Sequence, residues 1–452
     1  MVETYAESLL VDLAKWASSR FDDDGTLGDA ARLSFIDTAA CVVAGATTSQ
    51  GRRVSAASRR LQSAGSALQT AMHVGATAHA LDFDDYELCG STHPSAPLIG
   101  AILALADPGT HTVGDLLDGY VVGYQTIIEL GNHLGYSHYE IGWHATSTIG
   151  TVGAAMAAGH LIGLRGARLA HAAALATSMS SGLKAQFGTD AKALHAGFAA
   201  RAGVEAAALA EQGLLANPAV FEAPSGMLDL FGGPSSPGQP FGRPDRRALV
   251  TDPPLRKAWP CCSYAHRAID AALTASQDVG DRLAQIRSVE LTMAEPFFRV
   301  ASFRRPSDPS QARFSTTFCV ASALADGAVT PSTFSPAQLE RADIRTLEAL
   351  IDVKLYDAAD TVTDLCPQHP DHLRVHLHDG PSVEVTVADV PGGPGRPMPA
   401  EDIIAKYVAC GGDPDTARRA LDTKDSAGCN AIIDCFTATT SDHSQNGEQS
   451  NQ

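Results

Sequence analysis

Several helical stretches in the first half of this chain are apolar on nearly every face. The most apolar runs from Ile149 to Leu164 and is broken only by His160. A helix without a polar face has to be surrounded by other helices, so these segments predict the interior of a bundle. Apolar residues recur at helical spacing over 4–19, 28–45, 96–106, 114–133, 146–163, 167–182 and 196–213, with Gly and Pro as punctuation between them. Aromatics make up only 6% of the chain, while Ala and Gly are plentiful. Closely packed helices with small residues at their contacts are therefore expected.

The period changes after about residue 285. Ser288-Val-Glu-Leu-Thr-Met alternates as a strand does, and so do Leu373-Arg-Val-His-Leu and Val383-Glu-Val-Thr-Val. His378-Asp-Gly-Pro between the last two is a good hairpin turn. Val353-Lys-Leu-Tyr offers a further strand, and helical patterns lie at 314–326 and 336–350. Helical spacing returns at Ala400–Cys410 and 414–422, after the linker-like Pro391-Gly-Gly-Pro-Gly-Arg-Pro. A chain of 452 residues is long for one core. The expected organisation is mainly α: an all-helical domain over 1–267, completed by 391–436, with a smaller α+β lid domain over 268–390. The polar, Asn/Gln/Ser-rich stretch 437–452 reads as a disordered tail.

A net charge of −18 argues against nucleic acid or an anionic membrane as partner. An anionic substrate would need its cations gathered locally. Nine scattered cysteines follow no disulfide rhythm, which suits a reduced compartment. Met1-Val-Glu-Thr-Tyr-Ala-Glu has no basic region before an apolar run, so no signal peptide is expected. The expectation is a soluble cytoplasmic protein.

Chemistry concentrates in His79-Ala-Leu-Asp-Phe-Asp-Asp-Tyr86 and Ser91-Thr-His-Pro-Ser95, which pack three carboxylates and two histidines into a short span. Burying such a cluster is costly unless its members pair with each other or with a ligand. The alternative is a solvated loop with helix caps. His144 stands just before an apolar helix, where the helix dipole favours its neutral form; a capping residue is the other reading. Lys192 and His195 share a helix face. Lys257 opens Lys257-Ala-Trp-Pro-Cys-Cys at the expected domain boundary, a favoured place for pockets. Arg313 and Ser315, in Gln311-Ala-Arg-Phe-Ser315, form a candidate anion site at a helix start. Metal and nucleotide motifs such as HExxH, GxxxxGK[ST] and GxGxxG are absent. Asp82, Asp84 and Asp85 could form a magnesium site of the kind seen in helical isoprenoid synthases, but no second acidic motif accompanies them.

Taken in order, these segments resemble the MmgE/PrpD family. The resemblance is carried by His79-Ala-Leu-Asp-Phe-Asp-Asp, Thr92-His-Pro-Ser, Gly142-Trp-His144, Ala191-Lys192-Ala-Leu-His195-Ala-Gly-Phe, Lys257-Ala-Trp-Pro-Cys-Cys, Ala312-Arg-Phe-Ser and Arg396-Pro-Met398, and extends from about residue 5 to 422. It implies a helical domain with an α+β lid, a cleft between them, a homodimer, and no metal or organic cofactor. Family active-site positions carry over onto Asp82, His93, His144, Lys192 and Lys257. His93 and His144 would be the proton-transfer pair, with Asp82 orienting a histidine or fixing a lysine's charge. Lys192 and Lys257 would hold carboxylates of a small polycarboxylate substrate, with His195, Tyr86, Arg313 and Ser315 as further contacts.

The family includes 2-methylcitrate dehydratases, cis-aconitate decarboxylases and an iminodisuccinate epimerase. Each breaks a bond at a carbon α to a carboxylate. Three departures bear on the choice. Tyr86 stands where many relatives carry Thr, Cys262 where decarboxylases carry His, and Val300-Ala-Ser-Phe offers no Tyr where decarboxylases use one. The chain also looks shorter than the propionate-pathway dehydratases. The expectation is a dehydratase-like hydro-lyase, with an epimerase second and a decarboxylase third.

Overall fold

A computed structural model describes residues 8–19, 21, 24–60, 66–232, 246–356 and 369–437. Residues 4–7 of the first expected helix, and the expected tail from 438 onward, lie outside these. Among the described residues nine α-helices come first: α1 (Leu9–Trp16), α2 (Thr26–Ala46), α3 (Ser49–Arg60), α4 (Ala67–Ala78), α5 (Ser95–Leu105), α6 (Val113–Glu140), α7 (Ala145–Leu161), α8 (Gly166–Thr177) and α9 (Asp190–Glu211). All 17 residues of α7 are buried, as its all-round apolar sequence requires. Small residues let its neighbours approach: a Cβ added at Gly203 of α9 would sit 2.5 Å from the Ala154 side chain of α7. Such contacts leave no room for one more methyl group.

Helices α3 and α4 were not expected from periodicity. The α3 sequence, Ser-Gln-Gly-Arg-Arg-Val-Ser-Ala-Ala-Ser-Arg-Arg, has too few apolar residues to mark a core face. The expected helix over 336–350 is two: Pro336–Leu339 and Ala342–Ala349. Arg341 between them is extended, and its guanidinium ties Asp326 to Asp343.

The later part holds a four-stranded sheet of β1 (Ile286–Ala294), β2 (Ile351–Tyr356), β3 (Asp371–Leu377) and β4 (Val383–Val387) in the order β2-β1-β3-β4. The hairpin β3–β4 is antiparallel, β1 pairs antiparallel with β3, and β1 runs parallel to β2. β3 alternates between buried and more exposed positions, so one face is covered. Helix His266–Val279 covers it, and Thr316–Asp326 packs in turn on that helix.

Among the described residues two hydrophobic cores are much the largest. One gathers Leu9 through Leu249 together with Ile403 through Cys435; the other runs from Trp259 to Val390. The second core takes in Trp259, Cys261 and Tyr264, which patterning alone assigns to the helical part. That segment has no periodicity of its own, and only its contact with the sheet layer decides its side. The architecture is mainly α with a smaller α+β part. Among the described residues no single helix is long and apolar enough to cross a membrane.

Candidate active site

The segment between α4 and α5 is held at both ends by distant parts of the chain. Tyr86 and Leu255 exchange backbone hydrogen bonds at 2.9 and 2.7 Å, which brings Lys257 alongside. Lys406, on the returning helix Ala400–Ala409, donates to Asp37 at 2.8 Å and to the Phe83 carbonyl at 2.7 Å. The buried carboxylate of Glu87 accepts the N–H groups of Cys89, Gly90 and Thr92, which fixes the turn before His93. Asp82 has a φ of 51°, in the left-handed region that costs a non-glycine residue about 1–2 kcal/mol. This conformation presents its carbonyl to Lys257 Nζ at 2.7 Å while its carboxylate meets Lys192.

The acidic run divides. Asp85 turns away to the N–H and hydroxyl of Ser95, which also contacts the Tyr120 hydroxyl at 2.7 Å. Burial, helped by Asp37, raises the Asp85 pKa to about 7. Asp82 and Asp84 turn the other way and join a chain of charges. Lys192 Nζ lies 2.5 Å from Asp82 Oδ1, and Lys257 Nζ lies 3.3 Å from Oδ2. Burial works to raise the Asp82 pKa, but the two ammonium groups outweigh it and hold it well below the usual carboxylate range. Asp84 is likewise depressed, against burial, by His79 and His93.

An ionised Asp84 can only accept, so at 2.8 Å His79 Nδ1 carries the proton. Burial drops the His79 pKa to about 3, so the ring is neutral and Nε2 is a lone pair. That lone pair accepts from Lys192 Nζ at 2.9 Å. His79 is thus a spacer that aims Lys192, a role that residue order alone does not separate from the rest of the acidic run.

His93 and His144 complete the arrangement. The His93 backbone N–H donates to Thr146 Oγ1 at 2.9 Å; its ring faces Asp82 at 3.6 Å and Asp84 at 3.4 Å, and crosses the His79 ring edge-on. His144 occupies the N-cap position of α7 but makes no capping hydrogen bond. Its Nδ1 instead lies 2.9 Å from His195 Nδ1, and its buried Nε2 has no partner. Burial, and then nearby Lys192, hold His144 well below the normal histidine range; His93 is lowered chiefly by burial, and His195 by burial and Lys192. The site therefore joins neutral imidazoles to two ammonium groups that share one carboxylate. When His144 donates through Nδ1, its Nε2 is a base; when His195 donates, His144 Nε2–H is an acid.

The cleft over these groups is tight, with about 40 Å³ of cavity space. Asp82, Tyr86, His93, His144, Lys192 and Lys257 line it, all of them singled out by the sequence. His195 stands behind His144, outside the lining. Arg313 and Ser315 do not reach the cleft. Ser315 caps the helix Thr316–Asp326, its Oγ accepting from Phe318 N–H. Arg313 bonds to its own Pro309 carbonyl and lies against Phe334. A helix start was correctly marked there, but its hydroxyl is consumed by the cap. Sequence reading missed the lining residues Tyr139, Phe187, Tyr264 and Phe314. Their aromatic character gives no positional signal, and burial alone marks them. Cys262 and Val300, two of the departures noted above, also line the cleft, and burial pushes the Cys262 thiol up to about 12.

His79, Asp82, Asp84 and His93 offer donor atoms within 4.8 Å of one another, a set that could in principle hold a metal. The Lys192 ammonium already occupies the cationic position, bonded to both Asp82 and His79. A divalent ion there would face this ammonium and that of Lys257 as well. The residues therefore fit an ammonium better than a metal. The magnesium reading of Asp82, Asp84 and Asp85 fits less well still, because Asp85 points to Ser95.

The buried imidazoles have a consequence for stability. Burial lowers His79 and His266 to about 3, and His138 and His160 to about 4. Between about pH 6.5 and those values the unfolded chain binds protons that the native chain refuses. Stability therefore rises with pH across this window and falls on acidification, each group contributing at most about 1.4 kcal/mol per pH unit. Denaturant midpoints measured from about pH 7 down to about pH 4.5 are expected to fall steadily; a flat profile would mean these rings are solvated.

Paired ammonium groups facing neutral imidazoles, between a helical core and a small α+β core, define a site suited to moving protons beside an anion. Two sequence comparisons place the chain more closely. The MmgE/PrpD N-terminal domain matches residues 11–239 and the MmgE/PrpD C-terminal domain matches residues 259–426. The chain belongs to the MmgE/PrpD family. Similar curated proteins include a cis-aconitate decarboxylase of Homo sapiens, 27% identical over 347 residues that cover 74% of this chain and 70% of the relative. A cis-aconitate decarboxylase of Aspergillus terreus is 24% identical over 462 residues, covering 92% and 91%.

Proposed function

We propose that this protein is a cofactor-independent lyase that breaks a bond beside a carboxylate of a small di- or tricarboxylate. One observation carries the reading: Lys192 and Lys257 share Asp82 in the same cleft as the neutral rings of His93 and His144. A substrate carboxylate entering the cleft meets two ammonium groups with only one buried counter-charge between them. A neutral imidazole removes the proton from the carbon α to that carboxylate. The negative charge that develops on the carboxylate is stabilised by the ammonium groups in a water-poor site. In a hydro-lyase the imidazolium formed in that step then gives its proton to the β-hydroxyl, which leaves as water and returns the ring to its neutral form.

Hydration–dehydration is the leading form, because Cys262 stands in the cleft where decarboxylases carry His, and Val300-Ala-Ser-Phe, which begins at the cleft, offers no Tyr where they use one. The second form is decarboxylation, favoured by what the curated relatives are called. There the carbon–carboxylate bond breaks, carbon dioxide departs, and the carbon takes a proton that one of the imidazoles relays from solvent. On the same reading the protein acts as a cytoplasmic homodimer.

The test is proton NMR of EDTA-treated protein in deuterated water with 2-methylcitrate, citrate, cis-aconitate and the stereoisomers of iminodisuccinate. A new vinyl signal from a saturated substrate is the expected result. Itaconate-type vinyl signals from cis-aconitate would select the decarboxylase. Exchange of an α-proton with loss of optical purity would make the enzyme an epimerase and sink the lyase reading. Loss of all turnover on EDTA treatment would overturn the metal-free chemistry.

A further inference from the structure

A second, smaller pocket lies on the far side of Lys192 from the cleft just described. It holds only about 20 Å³ of cavity space and is lined by Gln50, His79, Asp82, Lys192, Ser310 and Arg313. It opens toward a wide groove between the two cores, with Arg52 and Arg53 on the wall and Arg313 again contributing. His93, His144 and Lys257 line only the front cleft.

Arg313 is the unusual member. The residue is 7% exposed, yet among the described residues it forms no ion pair. Its Nη1 donates to the Pro309 carbonyl at 3.0 Å, its Nε is buried with no partner, and its plane lies over the Phe334 ring at 5.2 Å. The acidic groups that influence it are committed elsewhere. Asp82 is shared by Lys192 and Lys257, and the Asp308 carboxylate accepts the N–H groups of Ser310 and Gln311. Burial lowers the Arg313 pKa only to about 10, so the guanidinium stays charged at neutral pH. A buried guanidinium without a carboxylate is costly, and the planar fork of donors matches an oxyanion. Asp82 lines the same pocket but is shared by Lys192 and Lys257, so among the described residues the Arg313 guanidinium adds a cation that no carboxylate pairs with.

We propose that the mouth of this pocket, where it opens into the wide groove, is a second binding site for a small oxyanion, a carboxylate or a phosphate, held chiefly by Arg313. The wide groove is its route to solvent, so an anion reaches it without passing through the front cleft.

The test is isothermal titration of inorganic phosphate, and separately of malonate, into Lys257→Gln protein, in which the front cleft is impaired. The same titrations are run with Arg313→Gln added, with Arg313→Lys added, and on wild type with and without Arg313→Gln. Binding of one equivalent to Lys257→Gln, weakened at least about tenfold by Arg313→Gln, is expected. Arg313→Lys keeps the charge but loses the fork, so it should bind between the two, and it carries the test if the Gln variant does not fold. Heat from one anion and not the other identifies whether the site takes phosphate or carboxylate. No heat from either anion, or equal binding with and without Arg313, would overturn the proposal. The readout is binding alone, so it stands or falls separately from the lyase reading.

Discussion

Replacing His144 with Gln is expected to lower kcat by roughly 10²–10⁴-fold, with KM changed only a few-fold. The ring lines the cleft, its Nε2 has no protein partner, and burial keeps it neutral. Gln fills similar space and can still hydrogen-bond, but it cannot take or give a proton at neutral pH. A substrate carboxylate held by Lys192 and Lys257 should still bind, so the loss falls on the chemical step. Steady-state kinetics on the substrate found by NMR reads the split directly. Near-normal kcat would remove His144 from proton transfer and leave His93 as the candidate. The contact with His195 Nδ1 at 2.9 Å makes a second observation available. If that ring sets the His144 tautomer, replacing His195 should shift the pH profile of kcat while leaving KM nearly unchanged.

The second large effect is expected at Asp82. Asp82→Asn removes the one counter-charge that Lys192 and Lys257 share. Two buried ammonium groups then face each other across a neutral amide, a loss of about 3–5 kcal/mol by comparison with other broken buried pairs. Chemical denaturation would measure it. Adding Lys192→Met should return part of that stability, since one unpaired charge is removed with it. The pH dependence follows from the depressed pKa. The contribution is fully present above the ordinary carboxylate range and is lost only as pH falls through the folded-state value, well below 3.8. Asp82→Asn protein as stable as wild type would mean that the lysines are neutral or find another partner.

Much of this architecture is visible in the sequence because it rests on local rules. The all-round apolar run of α7 requires a buried helix wherever it sits. The alternation in Leu373–Leu377 and Val383–Val387 around His378-Asp-Gly-Pro requires a hairpin, and β3 and β4 form one. Polar α3 escaped detection for the matching reason: it buries too little to leave a pattern. The break at Glu340-Arg341 escaped because it depends on ion pairs to Asp326 and Asp343.

The site divides along the same line. Sequence by itself singled out the residues that meet at the site: the acidic run after His79, the two histidines His93 and His144, and the lysines 192 and 257. Only the tertiary structure decided what each one does. Asp85 and Asp82 are near neighbours in the chain, yet one is bonded to Ser95 and the other lies between two ammonium groups. Arg313 looked like a partner of Lys192 in the main cleft and lies instead in a pocket behind it. Helix and strand are set by the spacing of residues along the chain. Charge state and pairing are set by burial and by distances of a few ångströms across the fold, which the order of residues does not contain.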